Sequence, residues 1–185
     1  IKAIDEEGAV TAYTYDENGR LTQMTNALGF STSFEYDAMD RVVKVTDAKG
    51  NATTYTYDAV GNVSTETNAK GVTTSYVYDA NYNLTSLTDA AGTSTYLYDA
   101  MDRVVGQTDR RGNTQWFRYD AIGRITAVRD KNGNLTEYIY DGNGNIVKTI
   151  DALGTEAVFT YNKNDQLISM DLHRMDTVNN VDSHE

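Results

Sequence analysis

Hydrophobic and polar residues alternate along this chain in segments of about six residues, and polar turns separate the segments. Every second segment carries two aromatic residues two positions apart, such as Tyr13 and Tyr15 or Phe34 and Tyr36. Residues two apart on a strand share a face, whereas an amphipathic helix requires apolar spacings of three and four. The pattern therefore predicts β-strands that place both rings of a pair on one face.

The second aromatic of each pair is a Tyr, and an Asp follows it in seven of eight cases. The spacing between these tyrosines is 20 or 21 residues throughout, and the eighth step reads Tyr-Asn. The steps begin at Tyr15, Tyr36, Tyr57, Tyr78, Tyr98, Tyr119, Tyr140 and Tyr161. A fixed period of this size indicates a repeat architecture, in which each repeat contacts its neighbours.

Two turn signals occur in each repeat, about ten residues apart. One follows the Tyr, as in Asp16 to Gly19, and the other lies midway, as in Asp5 to Gly8 and Asn26 to Gly29. An Asp or Asn that opens a loop can accept backbone hydrogen bonds, and a Gly three positions later adopts positive φ without strain. We therefore predict an all-β fold, a continuous antiparallel meander of β-hairpins with about 16 short strands.

A fixed aliphatic residue lies six positions after each Tyr, on the partner strand. Aromatic strands would thus alternate with aliphatic strands, and we expect aromatic rows about 9.6 Å apart on one face, with a mostly polar opposite face. The aliphatic residues are Leu21, Val42, Val63, Leu84, Val104, Ile125, Ile146 and Leu167.

The repeats are expected to span residues 1–170, as about eight repeats of which the first is partial. Residues 171–185 abandon the pattern and are predicted to form a tail or linker outside the repeats. One interval is a residue short, since Gly92 precedes Tyr98 by six positions whereas Gly71 precedes Tyr78 by seven. We expect a bulge or slack near Gly92 to absorb the difference, so that the aromatic pair keeps its face.

Composition and charge narrow the possible functions. The net charge of −11 argues against nucleic acid and against anionic lipid as partners. No apolar run approaches the roughly 18 residues that span a bilayer, and the absence of Cys excludes disulfides and thiolate chemistry. Because the chain begins at Ile1 in the middle of a repeat, we expect it to be a piece of a longer protein.

The regular carboxylates, such as Asp16, Asp58 and Asp120, are predicted to be structural turn residues. A general acid and base need two different environments, whereas a repeat gives each Asp the same one. The stretches 130–134 and 141–145 resemble oxygen-rich calcium loops but lack the Gly at position six. We therefore predict hairpin turns there, and no catalytic, cofactor or metal residues in the chain.

His, Trp and Arg residues are the remaining candidates for a functional site. His173 and His184 lie in the predicted tail without a Cys or a Gly-x-Ser-x-Gly elbow, so we expect solvated side chains. Trp116 projects to the face opposite its aromatic pair, where it is either exposed as a possible ligand contact or packed as a local plug. Four arginines recur at one turn edge and are expected to bond turn carboxylates such as Asp37 or Asp120, namely Arg20, Arg41, Arg103 and Arg124.

The segment Tyr15 to Leu21, which reads Tyr-Asp-Glu-Asn-Gly-Arg-Leu, resembles the YD repeat of RHS proteins, and residues 119–125 are a near copy. The link 26–29, followed by Thr32 and an aromatic pair, completes the similarity, which extends from residue 5 to about 168. The residues that match the repeat, and that we predict to be structural, are Tyr15, Asp16, Gly19, Tyr36, Asp37, Tyr57, Asp58, Gly61, Tyr78, Asp79, Tyr98, Asp99, Tyr119, Asp120, Gly123, Tyr140, Asp141, Gly144 and Tyr161. Four repeats depart from the pattern, because the Gly of their first turn is replaced by Asp40, Tyr82, Asp102 or Asp165. In the last repeat Asn162 replaces the Asp of the Tyr-Asp step.

The resemblance implies a structural, non-enzymatic segment of a large bacterial protein that is secreted or displayed at the cell surface. RHS repeats form a β-sheet that spirals into a hollow shell, and in toxins of the family the shell holds a C-terminal effector. The implied partners are flanking repeats of the same parent chain and an enclosed effector. The family's self-cleaving core, rich in Pro, Gly and Asp, is missing from a chain without Pro, so the resemblance implies no autoproteolysis.

A second interpretation is a binding module, in which rows of Tyr together with Trp116 contact a glycan or a protein partner. The two interpretations differ in where the aromatic pairs lie. Burial of Tyr13, Tyr15 and their equivalents would remove the main support for the binding module.

A finite meander leaves two open edges, and each unpaired edge is a template for further strand pairing. We therefore expect the isolated segment to close on itself, to associate edge to edge, or to depend on its missing flanks. Light scattering on the isolated 185-residue chain checks this expectation, and a stable, open monomer would contradict it.

Overall fold

The computed structural model describes residues 2–4 and 10–174, and these residues contain 17 β-strands and no helix. The predicted all-β fold is confirmed. The strand count exceeds the expected sixteen by one, because the partial first repeat contributes a short strand of its own. The turn predicted at 5–8 lies outside the described residues, as does His184.

The chain divides into two compact units, a first unit of Ile1–Ser94 and a second unit of Thr95–Glu185. The first unit contains β1 (Lys2–Ile4), β2 (Val10–Tyr15), β3 (Leu21–Thr25), β4 (Ser31–Tyr36), β5 (Val42–Thr46), β6 (Ala52–Tyr57), β7 (Val63–Thr67), β8 (Thr73–Tyr78) and β9 (Leu84–Asp89). Strand β10 (Gly92–Tyr98) starts at the end of the first unit and continues into the second. The second unit also contains β11 (Val104–Thr108), β12 (Thr114–Tyr119), β13 (Ile125–Arg129), β14 (Leu135–Tyr140), β15 (Ile146–Ile150), β16 (Glu156–Tyr161) and β17 (Leu167–His173).

Within each unit, strands that follow one another along the chain pair in antiparallel register, as the predicted meander requires. In the first hairpin Tyr13 pairs with Met24 and Tyr15 pairs with Leu21. The two partners, Met24 and Leu21, lie three positions apart, although Tyr13 and Tyr15 lie only two apart. The extra position is a β-bulge, which falls between Thr14 and Tyr15 in the register. The same bulge occurs before the second aromatic of each later repeat.

This bulge has a consequence for the aromatic face. The two residues that pair with the aromatics both lie on the aromatic face. That face therefore includes the residue nine positions after each Tyr as well as the aliphatic residue six positions after it. In five repeats this extra residue is apolar, namely Met24, Val45, Leu87, Val128 and Met170. Both rings of each pair lie within one strand, two positions apart, so they share a face of that strand as predicted.

Neither unit contains a deep hydrophobic core. Among the described residues only Gly106 and Ala127 are buried, and Ala127 retains 3% exposure. Fifteen of the sixteen paired aromatics are half-buried, and Tyr15 is 43% exposed. Stability therefore depends on cross-strand side-chain pairs, each contributing about 0.2–1 kcal/mol, and on the turns.

The turns have the predicted left-handed residue at their fourth position. Gly19 adopts a φ of 81°, and the substitutes for this Gly keep the same conformation, with φ of 62° at Asp40 and 67° at Tyr82. Asp tolerates this region better than a bulky residue does, so Tyr82 is the more strained of the two.

The missing residue of the short repeat is absorbed at Gly92, as expected. Strand β9 ends at Asp89 and β10 begins at Gly92, so only residues 90 and 91 form the loop. The register of Tyr98 with Val104 matches that of the other repeats, and the aromatic pair keeps its face.

The last strand extends into the predicted tail. Strand β17 pairs with β16 as far as the Glu156 and His173 pair, and the His173 side chain is exposed. The remainder of the predicted tail, residues 175–185, lies outside the described residues.

Substitutions at the fourth turn position test the turn geometry. We expect Gly19→Ala to lower the free energy of unfolding by about 1 kcal/mol, because an L side chain is strained at positive φ. Tyr82→Gly should raise it, by less than that, since glycine costs more backbone entropy on folding. Urea unfolding followed by circular dichroism measures both changes. Glu17→Ala in the same exposed turn is the control, and an equal loss in the control would contradict the strain argument.

Candidate functional site: the turn clusters and the Trp116 groove

Every Tyr-Asp turn is organised around the carboxylate that opens it. In the turn after β12, Asp120 Oδ1 accepts hydrogen bonds from the backbone N–H groups of Ile122 (3.0 Å) and Arg124 (2.9 Å). The backbone adds two bonds, from Asp120 N to Arg124 O and from Gly123 N to Asp120 O. The side chain and the main chain therefore fix the same reversal of the chain.

The other turns repeat this arrangement. The two backbone bonds to the opening side chain recur at Asp16, Asn26, Asp37, Asp47, Asp58, Asn68, Asp79, Asp99, Asp109, Asp130, Asp141, Asp151 and Asn162. Asp89 has the first of them, from Ala91 N. Its loop is the two-residue loop before Gly92, so the fourth residue after Asp89 already belongs to β10.

Four turns extend this network to the next repeat through an arginine. Arg124 Nε donates to Asp120 Oδ2 (2.6 Å), and its Nη1 donates to the main-chain oxygen of Asp141 (3.3 Å). The guanidinium carbon lies 4.5 Å from the centre of the Tyr140 ring, and the Tyr140 hydroxyl donates to Ile125 O (2.7 Å). We call this group an Asp–Arg–Tyr cluster. The others are Asp16–Arg20–Tyr36, Asp37–Arg41–Tyr57 and Asp99–Arg103–Tyr119.

The expected bonds between arginines and turn carboxylates are confirmed, as between Arg41 and Asp37 or Arg124 and Asp120. The reach of each arginine to the next repeat was not predicted from the sequence. Each arginine contacts a main-chain oxygen and a Tyr ring of the next repeat. No sequence motif other than the Tyr-Asp step marks these two groups as its partners. Arg20 also pairs with the carboxylate of Asp40 at 2.8 Å.

These hydrogen bonds keep the turn carboxylates ionised. The Arg124 side chain and the backbone N–H groups lower the pKa of Asp120 below its ordinary value of 3.8. The Asn134 side chain is the largest cause of the lowered pKa of Asp130, and the Lys131 ammonium of that of Asp109. Carboxylates with lowered pKa values accept hydrogen bonds and do not serve as general acids near neutral pH.

The loops that resemble calcium sites are closed by amide groups. Asn134 Nδ2 donates to Asp130 Oδ2 (2.9 Å), and Asn145 Nδ2 donates to Asp141 Oδ2 (3.0 Å). Within residues 2–4 and 10–174, no three His, Cys, Asp or Glu side chains group as metal ligands would. The same residues include no helix long and apolar enough to cross a membrane.

The aromatic rows are engaged within the sheet. Tyrosine hydroxyls donate to a carbonyl oxygen fifteen residues earlier, among them those of Tyr36, Tyr57, Tyr119, Tyr140 and Tyr161. All the paired rings except that of Tyr15 are half-buried, so a ligand could contact only part of one face of most rings.

The opposite face differs between the two units. In the first unit it carries mainly small hydroxyl side chains, such as Thr54, Thr65 and Ser75, and some of them bond across strands, as Thr56 does to Thr65 (2.6 Å). In the second unit it carries Trp116, which is 44% exposed.

Trp116 is both exposed and a local plug, so the two alternatives for this residue are combined. Its six-membered ring covers Gly106, the residue that it opposes across β11 and β12. Beside it lies an open groove of about 330 Å³, lined by Val105, Trp116, Phe117, Arg118, Ala127, Arg129 and Leu135. The sequence pattern marks Trp116 but not Arg118 and Arg129, because the proximity of the two arginines to the Trp depends on strand register.

Solved structures with the same fold belong to toxin complexes. The chain matches the structure of the Tc holotoxin pore of Photorhabdus luminescens with a TM-score of 0.65 at 14% identity, covering 90% of this chain and 11% of that one. It matches the crystal structure of TcdB2-TccC3 with a TM-score of 0.53 at 15% identity, covering 94% of this chain and 12% of that one. The chain thus spans about a ninth of these proteins, and at such identities the likeness establishes the fold alone.

No curated protein sequence matches the chain. The model of the RHS repeat family, in contrast, matches six segments, of which the first five overlap in succession, residues 1–31, 15–52, 36–73, 57–94, 78–114 and 119–156. These segments cover most of the chain and follow the period of the Tyr-Asp turns. The chain therefore belongs to the RHS repeat family.

Proposed function

We propose that this structural RHS segment forms part of the wall of a shell that encloses a C-terminal effector in a large exported bacterial protein. The observation that carries the proposal is the Asp–Arg–Tyr cluster, which ties each of four turns to the turn of the following repeat. A wall needs contacts that recur from one repeat to the next, and this cluster supplies the same contact at four of the steps.

The strand register supports the same role. Each repeat adds one aromatic and one aliphatic strand with the same bulge, so the sheet lengthens without changing its faces. The flanking repeats of the parent chain would be the immediate partners, and they would cover the open edges. The toxin complexes that share the fold are the basis for proposing an effector as the enclosed partner.

The residues of the Tyr-Asp turns are assigned a structural role and not a catalytic one. Their carboxylates are saturated by hydrogen bonds inside the turn, as at Asp120. Each turn carboxylate lies in an environment like that of its equivalents in other repeats. A general acid and a general base need different environments, and no two of these carboxylates have them.

A binding module is the second candidate function, and one observation favours it. The Tyr rows contribute little, because their rings are half-buried and five of their hydroxyls bond the backbone. The groove beside Trp116 is the feature that this function would use.

The structural role of the turn carboxylates predicts a pH dependence. Because the folded pKa of Asp120 lies below 3.8, the folded state binds fewer protons than the unfolded state. The free energy of unfolding should therefore hold above about pH 5 and fall as the pH drops through 3.8 toward the folded pKa. Asp120→Asn should be less stable at pH 7, with a difference from the wild type that narrows toward pH 3.

Urea unfolding at a series of pH values measures this dependence. Glu17→Gln removes an exposed carboxylate from the same kind of turn and serves as the control, with a profile parallel to the wild type. Parallel profiles for Asp120→Asn and the wild type would show that the turn carboxylate adds no pH-dependent stability.

Enclosure of an effector is tested in the full-length protein that carries this segment. We expect limited proteolysis to spare the region downstream of the repeats while the shell is intact. Loosening the wall with Arg103→Gln and Arg124→Gln should make that region cleavable, because two contacts between successive repeats are lost. Arg111→Gln, in an exposed turn, is the matched control. Digestion of the downstream region at the same rate in the wild type and as an isolated fragment would refute enclosure.

A further inference from the structure

Three side chains interrupt the repeat pattern on the face of the second unit that lies opposite the aromatic pairs. Trp116 and Arg118 occupy positions of β12 that correspond to Ser33 and Glu35 of β4, four repeats earlier. Arg129 on β13 opposes Trp116 across the strands. We propose that these three residues bind an acidic sugar, a pyranose that carries a carboxylate group.

The indole ring of Trp116 packs directly over Gly106, which has no side chain to displace it. Gly106 opposes Trp116, and a β-carbon built on Gly106 would lie 2.9 Å from Trp116 Cζ3 and 3.3 Å from Leu97 Cδ1. Glycine inside a strand indicates close approach of another group, and here that group is the ring. Since Trp116 remains 44% exposed, part of the fixed ring surface stays open to a ligand.

The two arginines beside the ring have charges that the described residues leave uncompensated. Arg118 and Arg129 are exposed, and neither guanidinium has an ion pair or hydrogen bond within the described part of the chain. Glu137, which opposes Ala127 on the next strand, pairs with neither of them there. In contrast, Arg103 and Arg124 are bound by their turn carboxylates.

This contrast indicates the charge of the ligand. In a chain with a net charge of −11, two adjacent unpaired guanidinium groups form a local positive site. Arginine presents a planar fork of donors that matches a carboxylate, and such charge-assisted bonds are stronger than neutral ones. The ligand is therefore expected to carry a carboxylate.

The groove size indicates a small ligand in preference to a protein surface. Its volume is about 330 Å³, and its floor is Ala127, the most buried apolar side chain described. Small-molecule sites begin at about 300 Å³. A stable protein interface buries about 800 Å² per partner, which this groove does not offer.

The spacing of the three residues suits one pyranose ring. Opposed residues on antiparallel strands lie about 5 Å apart, and residues two apart on a strand about 7 Å. A sugar whose C–H face stacks on the negative π face of Trp116 can then extend its carboxylate to Arg118 and Arg129. This site does not require the shell function, and it deepens the binding-module candidate by naming a ligand class.

The single Trp of the chain makes the site directly measurable, because its emission reports on Trp116 alone. We expect trigalacturonic acid to produce a saturable change in that emission, and the neutral sugar maltotriose to produce none. Arg118→Gln with Arg129→Gln should weaken binding by about tenfold or more, the loss typical of a removed charge-assisted contact. Raising the salt concentration should weaken binding too.

Two further variants separate the site from general effects. Arg111→Gln removes one exposed positive charge from a neighbouring turn and should bind as the wild type does. Gly106→Ala keeps the indole and both arginines but displaces the ring, and should weaken binding. Urea unfolding of each variant shows whether it remains folded.

Each result decides the proposal. An equal response to maltotriose, no saturation with trigalacturonic acid, or an equal loss in Arg111→Gln would overturn it. Binding of a Glu-rich peptide without binding of the sugar would overturn it as well, and would indicate a protein partner. None of these results bears on the proteolysis experiment, so the shell function stands or falls separately.

Discussion

The structure depends on one repeated interaction, the side-chain oxygen of Asp or Asn that accepts two backbone N–H groups in fourteen of the fifteen described turns. It satisfies donors that a tight reversal would otherwise leave to solvent, and it fixes the loop length. Loop length in turn fixes the register of the following strand. A slip by one residue would move the aromatic pairs to the wrong face, so the turn carboxylate indirectly positions every ring.

A sheet without a buried core needs additional contacts between repeats. Half-buried rings and aliphatic side chains supply cross-strand pairs, and the Asp–Arg–Tyr clusters connect one turn to the next. The stacking of Arg124 on Tyr140 belongs to a class of contact worth about 0.5–1 kcal/mol at exposed sites. Each contribution is small, and their regular repetition makes the structure stable.

A regular framework also makes departures informative. The repeat sets each position to a turn residue, an aromatic, an aliphatic or a small polar residue. Trp116, Gly106 and Arg118 satisfy none of these requirements, yet they lie together on one face. Residues that break a local rule without serving the fold are where function is expected.

The sequence by itself determined the strands, the turns and the aromatic face, because each is set by residues within about ten positions. It also identified the left-handed turn residues, including those where Asp40 and Tyr82 replace glycine. It did not reveal the bulge, although the apolar residue nine positions after the Tyr in several repeats, such as Met24 and Val45, was a signal for it. Only the tertiary structure decided which arginine meets which ring and that Trp116 covers Gly106, because pairing brings together residues ten to seventeen positions apart.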